Sequence, residues 1–505
     1  MALAIVFFVV YALDIFFLFL YGLNLYYMII KSSKGFRDSP QKADEAAESE
    51  PELSAYPFVT VQLPIFNERY VAERIIRAAA SIRYPKDRFE IQVLDDSTDS
   101  TLEISRRTVS LLQSEGFSVS LLHRTKRTGQ KGSALREALV TARGEYIAVF
   151  DADFIPAENI LTDTLGYFAD NPDLGIIQTR WGHLNTKYSS LTRAQSLAID
   201  GHFIVEQVAR SAGNLFLNFN GTAGIWRRNC ILDAGNWQDD TLTEDLDLSY
   251  RAQLKGWRIR YLHTVCNPSE LPAQINAYKS QQFRWAKGSI QTALKLGGEI
   301  LRSPFSLWKK IQGILHVTYY TVHPLLLINI LLTIPLTFVI RSLPAEQILP
   351  FGTLASVFGV ATFAPPIFCA YSQFRLYKDW KRRLLWLPLT VFLGTGVAVN
   401  NTRGFLEAIF QKKSEFIRTP KFGIMERKDT WKQKDYRTRF SSFSVPEALV
   451  LLYLLGGIVF TLKTGNFYLL PYMIYYCCSF SYVFILSFLH GRPKLRARRF
   501  MQTAQ

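Results

Sequence analysis

The sequence predicts an α/β domain with a parallel sheet, inserted between membrane-spanning helices. Two patterns support this fold class. In residues 58–268, apolar runs typical of buried strands alternate with helical segments at the spacing of βαβ units. On both sides of this region the chain contains apolar stretches long enough to cross a bilayer. We therefore expect a multi-pass membrane protein with one large globular domain.

The charge is distributed unevenly along the chain. The 505 residues include 58 Lys and Arg against 42 Asp and Glu, for a formal charge of +16, and much of the excess lies beside apolar stretches after residue 370. That placement favours contact with membrane lipids over nucleic acid, which would need a basic face on a soluble domain. The five cysteines are scattered without metal-ligand spacing, so neither a disulfide framework nor a zinc site is expected.

The amino-terminal segment predicts a retained membrane anchor. Residues 1–30 are nearly all apolar, lack a basic start and a small-residue cleavage site, and precede Lys31 and Lys34. The positive charges put the amino end outside and the following domain in the cytosol. Residues 39–52 are acidic and Ala-rich, so residues 31–57 are predicted to form a flexible linker, which leads into a globular domain at 58–275.

The carboxyl-terminal half predicts further membrane elements. The apolar stretch 384–410 lies between two basic segments that both belong in the cytosol, so one crossing there would break the positive-inside rule. We predict five spans in all, with two short crossings at 384–410 as the alternative, in a bacterial inner (plasma) membrane rather than the Golgi. The predicted order is interfacial amphipathic helices at 276–310, two spans in 311–371, an interfacial or re-entrant segment and basic loop in 372–444, two spans in 445–489, and a basic cytosolic tail at 490–505.

The strongest chemical signal is the run EYIAVFDAD at residues 145–153. An apolar run closed by acids predicts a buried strand that ends at a cleft, and positions i and i+2 of a strand share a face. Asp151 and Asp153 should therefore point together, and such a pair needs a cation; hard oxygen ligands suit Mg²⁺ or Mn²⁺. A helix cap or a solvated turn is the alternative explanation.

Polar residues also follow the first two predicted strands, at 64–68 and at 95–97. Ligands bind outside the carboxyl ends of strands in such sheets, so these clusters should meet Asp151 at one edge. Capping of the next helix is the alternative for Asp96 and Ser97. The loop 127–132 (RTGQKG) is cationic and precedes a predicted helix, which suits phosphate but is also typical of a surface turn.

A third acidic cluster follows a Gly- and Trp-rich loop. A general base must lie within hydrogen-bond reach of the hydroxyl that it deprotonates, and one of these acids could serve. Carboxylates also stabilise a helix start by the helix dipole, which is the alternative. The cluster consists of Thr243, Glu244, Asp245 and Asp247.

A fourth cluster lies in the amphipathic stretch. Gln281, Gln282, Arg284 and Trp285 would present amides, a guanidinium and an indole on one helical turn. Arginine binds a diphosphate with two parallel bonds, and tryptophan offers a flat apolar face to a sugar ring. The alternative is an interfacial helix with a snorkelling Arg and a membrane-belt Trp.

Taken in order, the motifs D-D-S, D-A-D, T-E-D and Q-Q-F-R-W resemble the D, D, D, Q-x-x-R-W signature of processive family 2 glycosyltransferases. The runs VQLPIFNER, IQVLDDSTDST, VFDADFIP, FNGTAGIWRRN and SELPAQINAYKSQQFRWAKG are similar to the cellulose synthase-like mannan and glucan synthases and their bacterial relatives. The resemblance covers about residues 58–288 and implies a GT-A fold, a Rossmann-like mixed sheet.

The resemblance also implies a role for each matching residue. Asp245 would be the catalytic base, and Asp151 and Asp153 would bind the metal. Nucleotide-sugar binding falls to Asp95, Asp96, Pro64, Glu68, Lys131 and Asp151. The acceptor and diphosphate site would comprise Gln281, Gln282, Arg284, Trp285, Glu244, Asn220, Gly221 and Thr222. A gating loop would comprise Phe416, Thr419 and Lys421, with Arg418 in place of the valine of the F-x-V-T-x-K pattern.

These observations predict a metal-dependent, inverting hexosyltransferase that uses Mg²⁺ or Mn²⁺. The donor would be UDP-glucose or GDP-mannose, and the product a β-1,4-glucan or mannan, made processively and passed out through the spans. The acceptor would be the growing glycan, or a lipid in the alternative of a non-processive glycolipid synthase. An alternative of another class is a transporter or scaffold with an inactive transferase domain. No nucleic acid partner is expected.

Overall fold

The computed structural model of the protein describes residues 2–38, 56–342, 356–414, 417–438, 444–465 and 467–491, together with 344, 346, 352 and 353. Its centre is a seven-stranded mixed sheet in the order β3-β2-β1-β4-β6-β5-β7. The strands are β1 (Val59–Ile65), β2 (Phe89–Asp95), β3 (Val119–His123), β4 (Tyr146–Val149), β5 (Leu174–His183), β6 (Gly224–Arg227) and β7 (Arg258–Ser269).

The first four strands are parallel, as predicted, and β6 is the antiparallel member between β4 and β5. β5 pairs in parallel with β7. Every residue of β2 and β4 is buried, because helices cover both faces of the sheet. One face packs against residues such as Ile75 and Ile76, and the other against residues such as Leu135 and Leu139.

Nine helices surround this sheet in the described part of the domain, and a π-helical turn at His202–Glu206 joins two of them. Predicted helices after residues 67, 98 and 131 are confirmed as α2, α3 and α4. With the amino-terminal helix counted as α1 (Ala2–Asp38), they are α2 (Ala72–Ala80), α3 (Thr101–Ser114), α4 (Gln130–Thr141), α5 (Thr162–Ala169), α6 (Ser190–Gly201), α7 (Gln207–Ala212), α8 (Arg228–Asp233), α9 (Glu244–Leu254) and α10 (Ile275–Arg302).

The remaining helices belong to the carboxyl-terminal half. Short 3₁₀ turns at Tyr319–Thr321, Val360–Phe363 and Leu384–Trp386 connect some of them. They are α11 (Leu307–Val317), α12 (Val322–Ser342), α13 (Ala364–Leu376), α14 (Trp380–Arg383), α15 (Leu387–Gly396), α16 (Ala398–Ile409), α17 (Val445–Thr464) and α18 (Leu470–Gly491).

The amino-terminal helix is longer than the sequence predicts. α1 continues to Asp38, so Lys31 and Lys34 lie on the helix and not in a linker that starts at residue 31. Without a Gly or Pro between residues 24 and 34, nothing in the local sequence stops the helix where the apolar run ends. The acidic stretch of the predicted linker lies outside the described residues.

Six helical segments of the described chain are long and apolar enough to cross a membrane. This makes the chain a membrane protein, as predicted. The segments are Ile5–Phe36, Tyr319–Arg341, Ser356–Leu376, Trp380–Ile409, Val445–Thr464 and Leu470–Gly491.

The fourth segment, Trp380–Ile409, is the one that the charge distribution predicts to be interfacial or re-entrant. It breaks at Val397 into α15 and α16, which pack differently. α15 packs against α18 and against α6 of the globular domain, whereas α16 packs along α10 and α12. The count of five spans therefore stays a prediction, beside six segments of sufficient length.

Buried ion pairs attach the amphipathic helix α10 to the membrane region. Lys279 Nζ donates to Glu447 at 2.7 Å, and Lys287 Nζ donates to Glu407 at 3.1 Å and to Ser414 at 2.6 Å. A buried pair is costly to break, because the partner left behind is an uncompensated charge. α10 is thus held rigidly between the sheet domain and the apolar helices.

Candidate active site

A cleft of about 1260 Å³, its open mouth included, lies at the carboxyl ends of β1, β2 and β4. It is closed on one side by α10 and on another by residues 418–421. Most of the predicted site residues line it. They are Pro64, Glu68, Asp96, Lys131, Asp151, Asp153, Asn220, Gly221, Glu244, Asp245, Gln281, Arg284, Trp285, Thr419 and Lys421.

Three of the predicted residues that the structure describes do not line the cleft. Asp95 is fully buried and accepts a bond from the Ser97 amide at 2.7 Å, so it shapes its own loop. Thr222 stands behind the site, where its hydroxyl accepts from the amide of Asp151 at 2.8 Å. Gln282 is absent from the lining, and Phe416 lies outside the described residues.

Asp96, in contrast, is a cleft residue whose carboxylate is already paired. Arg124 donates to both of its oxygens, at 2.8 and 2.5 Å, in a bidentate arrangement. Arg127 lies behind this pair, with its guanidinium 3.6 Å from the ring centroid of Phe66. This part of the cleft is therefore a preformed aromatic and cationic wall.

The premise that Asp151 and Asp153 share a strand face is wrong. β4 ends at Val149, and the two acids lie in a turn in which the Phe154 amide donates to the Asp151 carbonyl at 3.0 Å. The chain leaves the ladder because the Asp151 amide bonds to a side chain, Thr222, instead of a neighbouring strand. Both acids still face the cleft, Asp151 with 35% of its side chain exposed and Asp153 with 9%.

Lys131 enters the cleft from the first turn of α4. Gly129 precedes this helix at φ +64°, a left-handed conformation that suits glycine. Lys131 Nζ donates to Asp151 at 2.5 Å and to the carbonyl of Gly221 at 2.8 Å. The loop that was predicted to bind phosphate thus supplies one cation, Lys131, which lies between Asp151 and the 219–222 loop.

Asp245 lies in the first turn of α9 and lines the cleft with its side chain partly buried. Burial, reinforced by the charge of Glu244, raises the pKa of Asp245 to about 7. The 219–222 loop passes close by: Gly221 has φ +81°, and a Cβ there would approach Asp245 Oδ2 to 3.0 Å. Asp247, two residues further along the helix and absent from the cleft lining, pairs with Arg251 at 2.7 Å and stabilises the helix instead.

Helix α10 contributes Gln281, Arg284 and Trp285 to the cleft. The guanidinium of Arg284 donates to the Thr419 hydroxyl at 2.7 Å. Burial lowers the pKa of Arg284 to about 10, although Glu244 and Asp151 oppose this shift. A buried guanidinium that faces several carboxylates suits the charge of a diphosphate.

Residues 417–423 dock over the cleft as the predicted gating loop would. Lys421 Nζ donates to Asp153 at 2.7 Å, and Glu270 accepts from the amides of Phe422 and Gly423 at 2.9 and 2.8 Å. Arg418 donates to Glu68 at 3.0 Å. The residue that departs from the family pattern therefore adds an ion pair to the docked loop.

Replacing Arg418 with valine, the residue of the family pattern, should loosen this loop. Burial already raises the pKa of Glu68 to about 7, and Arg418 opposes that rise, so R418V leaves Glu68 without its counter-charge. We expect amide exchange of residues 417–423 to accelerate about tenfold or more in hydrogen-deuterium exchange measurements, since a charged hydrogen bond is lost. R427V, an exposed change in the same segment, is the control; equal exchange in R418V and wild type would contradict the expectation.

The carboxylate pair fits a divalent cation that is shared with a substrate. Among the described residues, no three His, Cys, Asp or Glu side chains converge to hold a metal alone. Mg²⁺ is typically held by one or two carboxylates plus substrate phosphates, which matches the two acids present. The ammonium groups of Lys131 and Lys421, each beside one acid, show that this position favours positive charge.

Sequence reasoning missed two residues that help to form the site. Glu270 orders the docked loop, and its position in S-E-L-P after β7 is the signal that could have found it. Trp181 of β5 lines the cleft beside Phe154, with ring centroids 5.2 Å apart. In the sequence, Trp181 interrupts a polar stretch at the end of β5. Other site residues also lie at the ends of strands, so this position is the signal that could have found it.

The fold and the site together define a glycosyltransferase. The sequence model of Glycosyltransferase like family 2 matches residues 57–288. Glucomannan 4-beta-mannosyltransferase 9 of Arabidopsis thaliana is 35% identical over 435 residues, which are 84% of this chain and 79% of that protein. The chain therefore belongs to family 2 of the glycosyltransferases, in the cellulose synthase-like branch, and the predicted family membership is confirmed.

Other similarities cover less of the proteins or are more distant. Glucomannan 4-beta-mannosyltransferase 1 of Oryza sativa subsp. japonica is 39% identical over 302 residues, 58% of this chain and 57% of that relative. The solved mannosyltransferase PcManGT from Pyrobaculum calidifontis, in complex with GDP-Man and Mn²⁺, has a TM-score of 0.49 at 20% identity, covering 78% of this chain and 100% of its own. At that distance the likeness says nothing about the ligands of this chain.

Proposed function

We propose that the protein transfers a hexose, mannose in the first place, from a sugar nucleotide to a β-1,4-linked glycan. The observation that carries this proposal is one cleft containing the partly buried acid Asp245, the pair Asp151 and Asp153, and Arg284 beside Trp285. The relatives named 4-beta-mannosyltransferase support mannose over glucose. GDP-mannose and UDP-glucose are the donors to test.

The reaction is a single displacement. Asp245 accepts the proton of the acceptor hydroxyl, whose oxygen attacks the anomeric carbon while the bond to the nucleoside diphosphate breaks. A raised pKa suits this base, because proton transfer is most effective when the pKa lies near the working pH. One displacement inverts the anomeric centre, so an α-linked donor gives a β-linked product.

The leaving diphosphate carries charge that cationic side chains can balance. Lys131 and Arg284 line the cleft together with the acids, and Lys421 reaches it from the docked loop. Bound by Asp151, Asp153 and the diphosphate, Mg²⁺ or Mn²⁺ would neutralise the developing charge as a Lewis acid. Preorganised charges of this kind stabilise the developing charge without the reorganisation that water would need.

The position of the acceptor side supports a polymer product. Trp285 lies on α10, which packs along α16 of the apolar region, so the acceptor end of the cleft adjoins the candidate membrane helices. A growing chain could pass from the Trp285 face into that region without leaving the protein. Processive synthesis with export is therefore part of the proposal.

A donor panel with product sizing tests the function. The full chain in lipid nanodiscs would be given GDP-mannose or UDP-glucose with Mn²⁺, and its products separated by size. A ladder of oligosaccharides supports a processive glycan synthase, whereas one glycosylated lipid would support the glycolipid synthase instead. If the protein shows no sugar transfer and no donor hydrolysis, the result would favour a scaffold with an inactive domain.

The pH profile tests the assignment of the base. Asp245 must be deprotonated to accept a proton, so kcat/KM should fall tenfold per pH unit below about pH 7, the region of its raised pKa. Because the charge of Glu244 helps to raise that pKa, E244Q should move the acid limb to lower pH. An unshifted limb in E244Q would contradict this assignment.

A further inference from the structure

A chain of polar contacts leads away from the cleft through the π-helical turn His202–Glu206. His202 Nδ1 lies 2.9 Å from Glu206 Oε2, and His202 Nε2 lies 2.9 Å from the side-chain amide of Asn220. Asn220 lines the cleft in the 219–222 loop. None of these contacts is needed to complete the sheet or to bury an apolar core.

The contacts fix the state of the imidazole. Arg210 donates to the other oxygen of Glu206 at 2.9 Å. Although burial opposes it, the charge of Arg210 and the hydrogen bond from His202 hold the pKa of Glu206 well below its usual range. A carboxylate only accepts hydrogen bonds, so Nδ1 carries a proton and Nε2 of the neutral ring accepts from Asn220.

The imidazole in turn fixes the amide of Asn220. Gln207 donates to Asn220 Oδ1 while Asn220 Nδ2 donates to His202, so both ends of the amide are held. The backbone amide of Asn220 donates to Gln178 at 2.8 Å. The next residue, Gly221, meets Asp245 on one side and Lys131 on the other. A shift of Asn220 would therefore be transmitted to the neighbourhood of the base.

We propose that His202, held by Glu206, is a positioning residue that fixes Asn220 and thereby the acceptor-facing loop 219–222. The acceptor part rests on the proposed glycan transfer; the anchoring of the loop does not. The π-helical turn fits this role, because such turns are rare and occur frequently at functional sites. Its extra residue brings an imidazole to the loop at a cost in helix regularity.

Two substitutions separate the two nitrogen contacts. The amide of glutamine reaches the place of Nε2, so H202Q can still accept from Asn220, whereas the amide of asparagine reaches only the place of Nδ1. We expect H202N to raise the KM for the acceptor about tenfold or more and to increase donor hydrolysis relative to transfer, because a small misplacement of a reacting group is costly. H202Q should keep an acceptor KM and a ratio of hydrolysis to transfer near those of wild type. The Kd of the nucleoside diphosphate should be unchanged in both variants.

His183 provides the matched control. Its Nε2 lies 2.9 Å from Asp200, another histidine and carboxylate pair, but this pair continues to Gln373 of α13 instead of the cleft. H183N should cost stability like other buried changes, yet leave the acceptor KM and the hydrolysis ratio at wild-type values. The acceptors are β-1,4-mannotetraose and cellotetraose, with the full chain in nanodiscs.

Hydrogen-deuterium exchange supplies a readout that does not depend on the substrate. Exchange of residues 215–223 should accelerate in H202N and remain near wild type in H202Q and H183N. Equal exchange in H202N and H202Q, or a normal acceptor KM in H202N, would overturn the proposal. If wild type transfers to neither oligosaccharide, the proposed glycan transfer fails, and the exchange comparison still decides whether His202 anchors the loop.

Discussion

Replacing Asp245 with asparagine should lower the rate of sugar transfer by a factor of roughly 10² to 10⁴, the usual contribution of a positioned general base. Asparagine keeps the size of the side chain but cannot accept the proton of the acceptor hydroxyl. Donor binding should persist, because the cations that face the diphosphate, Lys131 and Arg284, remain in place. Transfer of labelled sugar and the Kd of the nucleotide diphosphate would be measured on the same preparation.

Asp240 supplies the control for this experiment. Its carboxylate is 55% exposed and pairs with Lys295 outside the cleft, so D240N removes a nearby acid without touching the site. We expect its transfer rate to equal that of wild type. Undiminished turnover in D245N would remove Asp245 as the base and direct attention to Glu244, the other buried acid of the same helical turn.

The sequence predicted the site best where acidic residues follow several of the strands. The four parallel strands, and the meeting of Asp96, Asp151 and Asp153 at one edge, follow from alternating strand and helix signals, since parallel strands share an edge for their carboxyl ends. Strand length was less predictable. The apolar run that ends in Asp153 looks continuous, but a side-chain bond from Thr222, 71 residues away, ends the strand earlier.

Residues that act through long-range contacts left no local signal. Asp95 and Asp96 are adjacent and identical in type, yet one is buried beneath its loop and the other faces the cleft; the difference depends on Arg124 at the end of β3. The same holds for His202, whose role rests on Asn220, 18 positions away. Which of two neighbouring polar residues reaches a site is decided by tertiary packing, which a single sequence does not display.

Arg418 shows the opposite situation, a local departure with a tertiary explanation. Measured against the family pattern, an arginine at the valine position weakens the prediction of a gating loop. In the fold it pairs with Glu68 and donates to the carbonyl of Asn67 at 2.6 Å, so the loop gains a charged anchor at the end of β1. Whether a substitution within a motif strengthens or weakens the docking of a loop can therefore be judged only when the position of its tertiary partner is known.

Replacing both Asp151 and Asp153 with asparagine should make the binding of a nucleoside diphosphate independent of Mn²⁺. In wild type we expect Mn²⁺ to strengthen that binding about tenfold or more, because two carboxylates and the diphosphate can share the cation. In the double variant Lys131 and Lys421 lose their carboxylate partners and are left to face the diphosphate directly. Residual binding should therefore be metal-independent and weaken as salt is raised.

Calorimetric titration of GDP and UDP, with and without Mn²⁺, measures this change without relying on turnover. Asp87 and Asp170 are exposed acids of the same domain outside the cleft, so D87N plus D170N is the matched control and should keep the wild-type response to Mn²⁺. A double cleft variant that still binds more tightly with Mn²⁺ would place the cation elsewhere among the acids of the cleft, with Glu68 and Glu270 as the remaining carboxylates beside Lys421. The response to Mn²⁺, measured at equal ionic strength, thus separates a cation held by the two aspartates from one held by their neighbours.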